Sequence, residues 1–302
     1  MLNTLAAVAQ VSVPEWMPTE VLVVDNASTD ATAEVISACH LLHLPVRYIH
    51  EPRQGKGYAY NAGMAAARGQ VFLFTDDDVR PPKNWIEGMC GPILTGNADA
   101  VIGSIRLAPH LERYWLRPLH KTWLASTEQD QQAPRTEMIG ANMAFAKRVL
   151  DQVPAFDTNL GPGALGFYDE TLFSRQLKVA GFEFAQAQNV VVEHHFEESR
   201  LARSSFLNTA IKMGRSCCYV DYHWTHKQVR LPERRLIRAM LRLFYWRMKH
   251  LKSSSHIEGA SDWEMSLLSD VSYWKQWLIE RRKPRNYDKF GLVKRTLQET
   301  SG

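Results

Sequence analysis

Val71-Phe72-Leu73-Phe74-Thr75-Asp76-Asp77-Asp78 runs four apolar residues through one threonine into three adjacent carboxylates. An apolar run without alternation is the mark of a strand covered on both faces, as in the parallel sheet of an α/β layer structure. Ligand crevices in open parallel sheets lie off the carboxyl ends of the strands, which is where the triplet stands. Three neighbouring carboxylates repel one another, so their position after a buried strand calls for a compensating cation. The plainer alternative is a helix cap with solvated acids ahead of Pro81-Pro82.

The flanks repeat strand, loop and helix. Upstream, Glu20 to Val24 is a short apolar strand, Asp25 to Asp30 is turn and cap chemistry, and Ala31 to His40 predicts a helix. Val46 to Ile49 predicts a second strand, Gln54 to Gly57 a turn, and Tyr58 to Ala67 an alanine-rich helix ended by Arg68-Gly69. Downstream, Gly140-Ala141-Asn142-Met143 precedes a helix through Leu150, and Gly161-Pro162-Gly163 is a glycine-rich turn. Tyr168-Asp169-Glu170 opens a helix to Ala180-Gly181, where acids alone would be ordinary caps. A strand from Asn189 to Val192 then delivers Glu193-His194-His195 at its carboxyl end.

The 302 residues, 45% hydrophobic and 23% charged, exclude a collagen, a disordered tail and a disulfide knot. The net charge of +4 hides a split. Residues 1–199 carry 15 Lys and Arg against 23 Asp and Glu, net −8, and residues 200–302 carry 21 against 9, net +12. Such asymmetry joins an acidic unit to a segment that meets polyanions, or leaves a solvated basic face. The longest uncharged stretch, Met1 to Pro14, is polar-broken and too short for a membrane span, and no basic secretory leader precedes it. Cys39, Cys90, Cys217 and Cys218 form no disulfide framework, so a reducing, cytoplasmic setting is expected.

With these pieces in order the chain resembles a family 2 glycosyltransferase of the GT-A fold, over about residues 1–220. The matching residues are Val23-Val24-Asp25-Asn26 with Ser28 and Asp30, Gly55-Lys56-Gly57 with Asn61, Asp76-Asp77-Asp78 with Pro82 and Trp85, Gly140-Ala141-Asn142-Met143, Asp169 before its helix, and His194 ahead of Arg200. The resemblance implies a Rossmann-like, mainly parallel sheet flanked by helices. It implies a nucleotide-sugar site at Asp25, Lys56, Asp76, Asp77 and Arg200, a divalent Mn or Mg ion held by Asp78 and His194, and a catalytic base at Asp169 with Glu170 as its substitute. Tyr168 stands where the family has an acid, which leaves the base's register open by one residue, and His194 and His195 share the same ambiguity.

Relative to that pattern the family's first strand is not represented. The chain starts within the following helix, at Leu2-Asn3-Thr4-Leu5. That strand belongs in mid-sheet, so an open groove, weak donor binding and low stability are expected.

The basic excess concentrates beyond the resemblance. Residues 227–252 hold nine Lys and Arg and one acid, Glu233, and Ile237, Leu241, Phe244, Met248 and Leu251 recur at helical spacing. A basic amphipathic helix with aromatics suits an anionic membrane surface; the alternative is a helix packed on the catalytic unit. Ser253-Ser254-Ser255 suggests a hinge, a second helix follows from Trp263 to Leu278, and Arg281 to Arg285 is expected to fray. No zinc-ligand spacing or RNA-binding signature accompanies the charge, so nucleic acid is not the expected partner. His223-x-x-His226 lacks further ligands in sequence.

The sequence therefore predicts a GT-A domain over 1–226, short at its amino terminus, and a basic amphipathic helical extension over 227–302. The expected activity is inverting, metal-dependent sugar transfer from a nucleotide diphosphate donor, taken as a UDP-sugar. The expected acceptor is a glycan or lipid in surface polysaccharide or glycolipid synthesis, with the enzyme peripheral to the membrane. The rivals are a truncated or inactive glycosyltransferase-like binding protein and a sugar nucleotidyltransferase, whose glycine-rich amino-terminal signature is absent.

Overall fold

The computed structural model describes residues 1–38, 44–128, 135–250 and 257–295. In chain order it contains α1 (Leu2–Val8), β1 (Val21–Asp25), α2 (Thr32–Ser37), β2 (Val46–His50), α3 (Lys56–Ala66), β3 (Val71–Phe74), β4 (Val79–Arg80), α4 (Trp85–Leu94), β5 (Ala100–Leu107), α5 (Pro118–Trp123), β6 (Met143–Ala146), α6 (Asp169–Val179), β7 (Phe184–His194), α7 (Arg203–His223), α8 (Pro232–Lys249) and α9 (Asp262–Glu280). The proposed serine hinge at 253–255 lies outside the described residues.

Two sheets share one core. β1 and β2 pair in parallel, Val21 opposite Val46 through Asp25 opposite His50, and the other five strands run in the order β3-β6-β5-β7-β4. Only β5–β7 is parallel in the larger sheet; β3–β6, β5–β6 and β4–β7 are antiparallel. The sheet is thus mixed, where a mainly parallel one was expected. An apolar run such as Val71 to Phe74 reports that both faces are covered but carries no information on the neighbour's direction. Among the described residues no ladder joins β1 to β3.

The amino-terminal segment leans on the same core. Val8, Val11 and Met17 are buried with Tyr60, Met64 and Phe72. Ser12 donates its N–H to the Lys83 carbonyl at 2.8 Å, and the Thr4 hydroxyl donates to the Asp77 carbonyl at 2.5 Å. That segment therefore holds the loop carrying the aspartates.

Asn142 is a structural residue. It is fully buried, and its Nδ2 donates to the carbonyls of Ser104 at 2.9 Å and Val190 at 3.0 Å while its Oδ1 accepts from Trp85 Nε1 at 3.0 Å. These bonds bracket the bulge at which the β5–β7 register jumps from Gly103 opposite Ala187 to Ser104 opposite Val191. The bulge lengthens β7 to eleven residues, where four were predicted.

The helical half packs closely on the sheet half. α7 and α9 cross where Gly214 meets the Ser269 backbone, an approach that leaves no room for a Cβ. Cys218 and Tyr222 of α7 share one core with Ala239 and Leu243 of α8 and Val271 and Trp274 of α9; Leu160, Leu172, Tyr219 and Tyr287 share another. Both cores draw on residues from either side of position 226. The segment after α9 is tied down and does not fray at its start. Arg285 lies 3.8 Å over the Tyr222 ring, the Tyr222 hydroxyl donates to the Lys283 carbonyl, and Arg281 pairs with Glu233 at 2.6 Å. Asp157, whose side chain is wholly buried, accepts from the Tyr219 and Tyr287 hydroxyls at 2.7 and 2.8 Å and from Lys294 at 2.5 Å. The His223-x-x-His226 pair is structural too: His223 Nε2 meets Glu280 at 3.0 Å and His226 Nε2 meets the Tyr287 carbonyl at 3.0 Å.

Candidate active site

The loop from Thr75 to Asp78 is fixed through its backbone and its threonine. Thr75 Oγ1 donates to the Ala141 carbonyl at 3.1 Å, the Asp77 carbonyl accepts from Thr4, and the Asp78 carbonyl accepts from His195 N–H at 2.7 Å. That leaves the three carboxylates aimed in different directions. Asp77 is exposed and has no side-chain partner, so of the expected nucleotide ligands it is the one left to solvent.

Asp76 enters a closed polar cluster. Lys56, the first residue of α3, places Nζ 2.7 Å from Asp76 Oδ1 and 3.3 Å from Glu170 Oε1. Tyr60, one turn further along the same face of α3, donates its hydroxyl to Glu170 Oε1 at 3.2 Å. Gly140 closes the cluster from the side, because a Cβ there would overlap the Tyr60 hydroxyl, Glu170 Oε1 and Lys56 Nζ. Burial works against the charge on Lys56, yet the neighbouring Asp76 and Glu170 outweigh it and raise its pKa well above the ordinary value. Burial likewise opposes ionisation of Glu170, but Lys56 beside it holds that carboxyl down at about 2.

Asp169 and Glu170 have separate fates. Tyr168 takes a left-handed conformation at φ 74° just before α6, and the turn points consecutive acids to different places. Asp169 is only 1% exposed; its Oδ2 lies against Gly161, itself at φ +78°, and has no hydrogen-bond partner. Burial, reinforced by the charge of Glu170 and a hydrogen bond to it, raises the Asp169 pKa well above the carboxylate range. The geometry brings Glu170, not Asp169, to Lys56 and Asp76. Tyr60 and Gly140 were not singled out for this cluster from sequence; the four-residue step from Lys56 to Tyr60 was the available signal.

Asp78 makes the other arm. Its Oδ1 stands 3.3 Å from His194 Nε2 and its Oδ2 3.8 Å from Arg200 Nη1, with Arg200 also 4.7 Å over the Phe196 ring. His194 Nδ1 lies 3.0 Å from the Leu124 carbonyl, which fixes the ring with Nε2 turned to Asp78. Asp78 Oδ1, buried and with no well-aligned hydrogen-bond donor, stands opposite that nitrogen. Burial would raise the Asp78 pKa, but His194 and Arg200 outweigh it and lower it. An imidazole nitrogen and a carboxylate oxygen fit a divalent Mn or Mg ion that takes its remaining ligands from phosphate and water oxygens. Among the described residues no three metal-ligating side chains converge, so the protein alone does not complete a cage. His195 faces Glu193 at 3.1 Å instead.

Asp25 sits apart, at the end of β1. It is buried, accepts from Ser28 N–H at 2.9 Å and the Tyr48 hydroxyl at 2.7 Å, and lies 3.8 Å from His50. Burial raises its pKa, but these two hydrogen bonds prevail and lower it. Next to it, Asn26 accepts from Gly55 N–H at 2.7 Å and donates to the Arg53 carbonyl at 2.6 Å, fixing the turn that leads into Lys56. Among the described residues no ion pair joins Asp25 to the aspartate loop.

A GlyG glycosyltransferase of Streptococcus pneumoniae is 33% identical over 86 residues, 28% of this chain and 29% of that protein. A glucosyl-3-phosphoglycerate synthase of Mycolicibacterium paratuberculosis is 32% identical over 100 residues, 30% of this chain and 29% of that protein. The matches thus span under a third of these relatives' length. The mannosyltransferase PcManGT of Pyrobaculum calidifontis, solved with GDP-Man and Mn2+, superposes with a TM-score of 0.57 at 15% identity, covering 92% of this chain and 82% of that one. GalNAc-T7, solved with UDP, GalNAc and Mn2+, gives 0.51 at 14% identity, covering 92% of this chain and 53% of that one. These likenesses show the GT-A fold. The sequence model of glycosyl transferase family 2 matches residues 1–153, half of the chain, and the protein belongs to that family as a glycosyltransferase.

Proposed function

We propose that the protein is an inverting, cation-dependent transferase that moves a sugar from a nucleotide diphosphate, a UDP-sugar in the first instance, to a hydroxyl of a glycan or lipid-linked acceptor in surface polysaccharide or glycolipid synthesis. The observation that carries this is the placement of the buried Asp78 Oδ1, without a well-aligned hydrogen-bond donor, 3.3 Å from His194 Nε2 and beside Arg200. A leaving nucleoside diphosphate gathers negative charge, and a hard divalent ion bridging its oxygens offsets that charge. Asp78 and His194 would hold the ion and Arg200 would reach the diphosphate. The neighbours solved with nucleotide sugars or nucleotides and Mn2+ support the same assignment.

Glu170 takes the base's part. Lys56 holds its pKa down at about 2 and it stands at Lys56, whereas Asp169 is buried with its pKa raised. A carboxylate held at about 2 is a reluctant proton acceptor, so Lys56 must shift its contact toward Asp76 and the donor for Glu170 to receive the acceptor's proton. Attack from the face opposite the leaving group gives inversion. Asp25, Asn26 and Lys56 line the path by which base and ribose would enter.

Donor hydrolysis by the wild type, Asp78→Ala, Glu170→Gln and Asp169→Asn tests the assignment. Loss in the first two variants with activity kept in the third is expected. A larger loss in Asp169→Asn than in Glu170→Gln returns the base to Asp169, and cation-independent activity removes the metal.

A further inference from the structure

α8 presents an unpartnered apolar stripe to solvent. The helix packs on α9 through Ala239 and Leu243, with Leu236 and Trp246 partly buried beside them. On the outer face Ile237, Leu241, Phe244 and Met248 are 56%, 62%, 64% and 52% exposed, and Met240 and Tyr245 flank them at 48% and 59%. About three turns of contiguous exposed apolar surface are unusual on a soluble chain and mark a docking face.

The charge beside the stripe identifies what docks. Arg234, Arg238 and Arg242, spaced one turn apart, form a row along one flank, and all three are exposed without a charged partner among the described residues. Other basic side chains of α8 are engaged: Arg235 stacks on Trp274 and Arg247 pairs with Glu264 at 3.0 Å. A second copy of this face would bring another arginine row toward the first, which disfavours self-association. An anionic bilayer satisfies both features at once, taking the apolar side chains below the headgroups and the arginines at their level, with Tyr245 between the two zones.

We propose that α8 is a membrane-docking helix that lies in the surface of an anionic bilayer by its Ile237–Met248 face. No helix among the described residues is long and apolar enough to cross a membrane, so the attachment is peripheral. The docked helix is tied to the crevice. Glu264, buried between α8 and α7, accepts from both Arg247 and Arg203, and the strand bridge Ala202–Glu258 and the Gly259 N–H bond to the Leu201 carbonyl hold the turn that carries Arg200. The proposal stands independently of the transfer chemistry.

Flotation of the full chain with vesicles tests it. The protein is expected to float with phosphatidylcholine–phosphatidylglycerol vesicles, to be released as salt is raised, and to stay behind with phosphatidylcholine alone. Arg234→Gln/Arg238→Gln/Arg242→Gln is expected to weaken binding about a hundredfold, and Leu241→Glu/Phe244→Glu to abolish it. Both sets alter exposed side chains, so melting temperatures should match the wild type. Absence of flotation, equal binding to neutral vesicles, or binding unchanged by both sets would overturn the proposal. So would a dimer in solution that disappears in Leu241→Glu/Phe244→Glu without any vesicle binding.

Discussion

Asp76 and Asp78 stand two residues apart on one loop and live in opposite electrostatic situations. Asp76 is answered by Lys56, which also answers Glu170, and the cluster is closed by Tyr60 and Gly140 without outside help. Asp78 faces His194 Nε2 at 3.3 Å and Arg200 at 3.8 Å, and its buried Oδ1 has no well-aligned hydrogen-bond donor. A run of carboxylates reads as one acidic feature in sequence. In the fold it divides into an arm answered by Lys56 and an arm turned to His194 and Arg200; in the proposed function the first stands at the proton and the second at the cation and leaving group.

The largest test of that contrast removes the Asp78 arm. Asp78→Ala is expected to lower cation-dependent transfer by about 10³-fold or more, since several kcal/mol of charge stabilisation vanish. It should leave folding intact, which circular dichroism checks. An equal loss in Asp76→Asn of cation dependence, as distinct from rate, would erase the distinction.

Next comes the proton. Glu170→Gln should cut kcat by about 10² to 10⁴ with the affinity for cation and nucleotide unchanged, as read by calorimetry. Asp169→Asn should cost under about tenfold, because Asp169 is buried against Gly161 and burial favours its uncharged form, which an amide resembles.

The pair also gives a pH test. Asp169 is raised in the fold, so above 3.8 the folded chain keeps a proton that the unfolded chain releases, and stability falls as pH rises. Glu170 is lowered to about 2, so its contribution is present above the unfolded value of 4.5 and is lost as pH falls toward 2. Asp169→Asn should therefore melt with less loss between pH 5 and 8 than the wild type, in scans across about that range. A steeper loss in the variant would show that Asp169 is ionised.

Smaller effects refine the closed arm. Gly140→Ala forces a methyl into Tyr60, Glu170 and Lys56 and should destabilise by about 1–3 kcal/mol, visible in urea titration. Tyr60→Phe removes one hydrogen bond to Glu170, worth about 0.5–1.5 kcal/mol, and should slow transfer by at most about tenfold.

Much of this was legible in the residues. The strand and helix alternation around Val71–Phe74 and the placement of Asp25 and the triplet at strand ends follow from apolar periodicity and turn chemistry, and the structure agrees. What periodicity lacks is direction and choice of face. It leaves open whether β3 pairs parallel or antiparallel, and it finds the stripe Ile237–Met248 without revealing that Ala239 and Leu243, a quarter-turn or more away, are the side that packs. The separation of the two adjacent acids escaped for a different reason. The left-handed Tyr168 decides which of them meets Lys56 and which lies against Gly161, and no composition rule favours a tyrosine there. The strand bulge held by Asn142 was hidden similarly, since its purpose is three hydrogen bonds to partners 38 to 57 residues away.

The most direct test of the two-arm account is calorimetric titration of UDP in the presence and absence of Mn2+, on the wild type, Asp78→Asn and Asp76→Asn. The account predicts that Mn2+ tightens UDP binding by about tenfold or more in the wild type and in Asp76→Asn, and has no effect in Asp78→Asn. Equal Mn2+ enhancement in all three proteins, or its loss in Asp76→Asn with retention in Asp78→Asn, would contradict it.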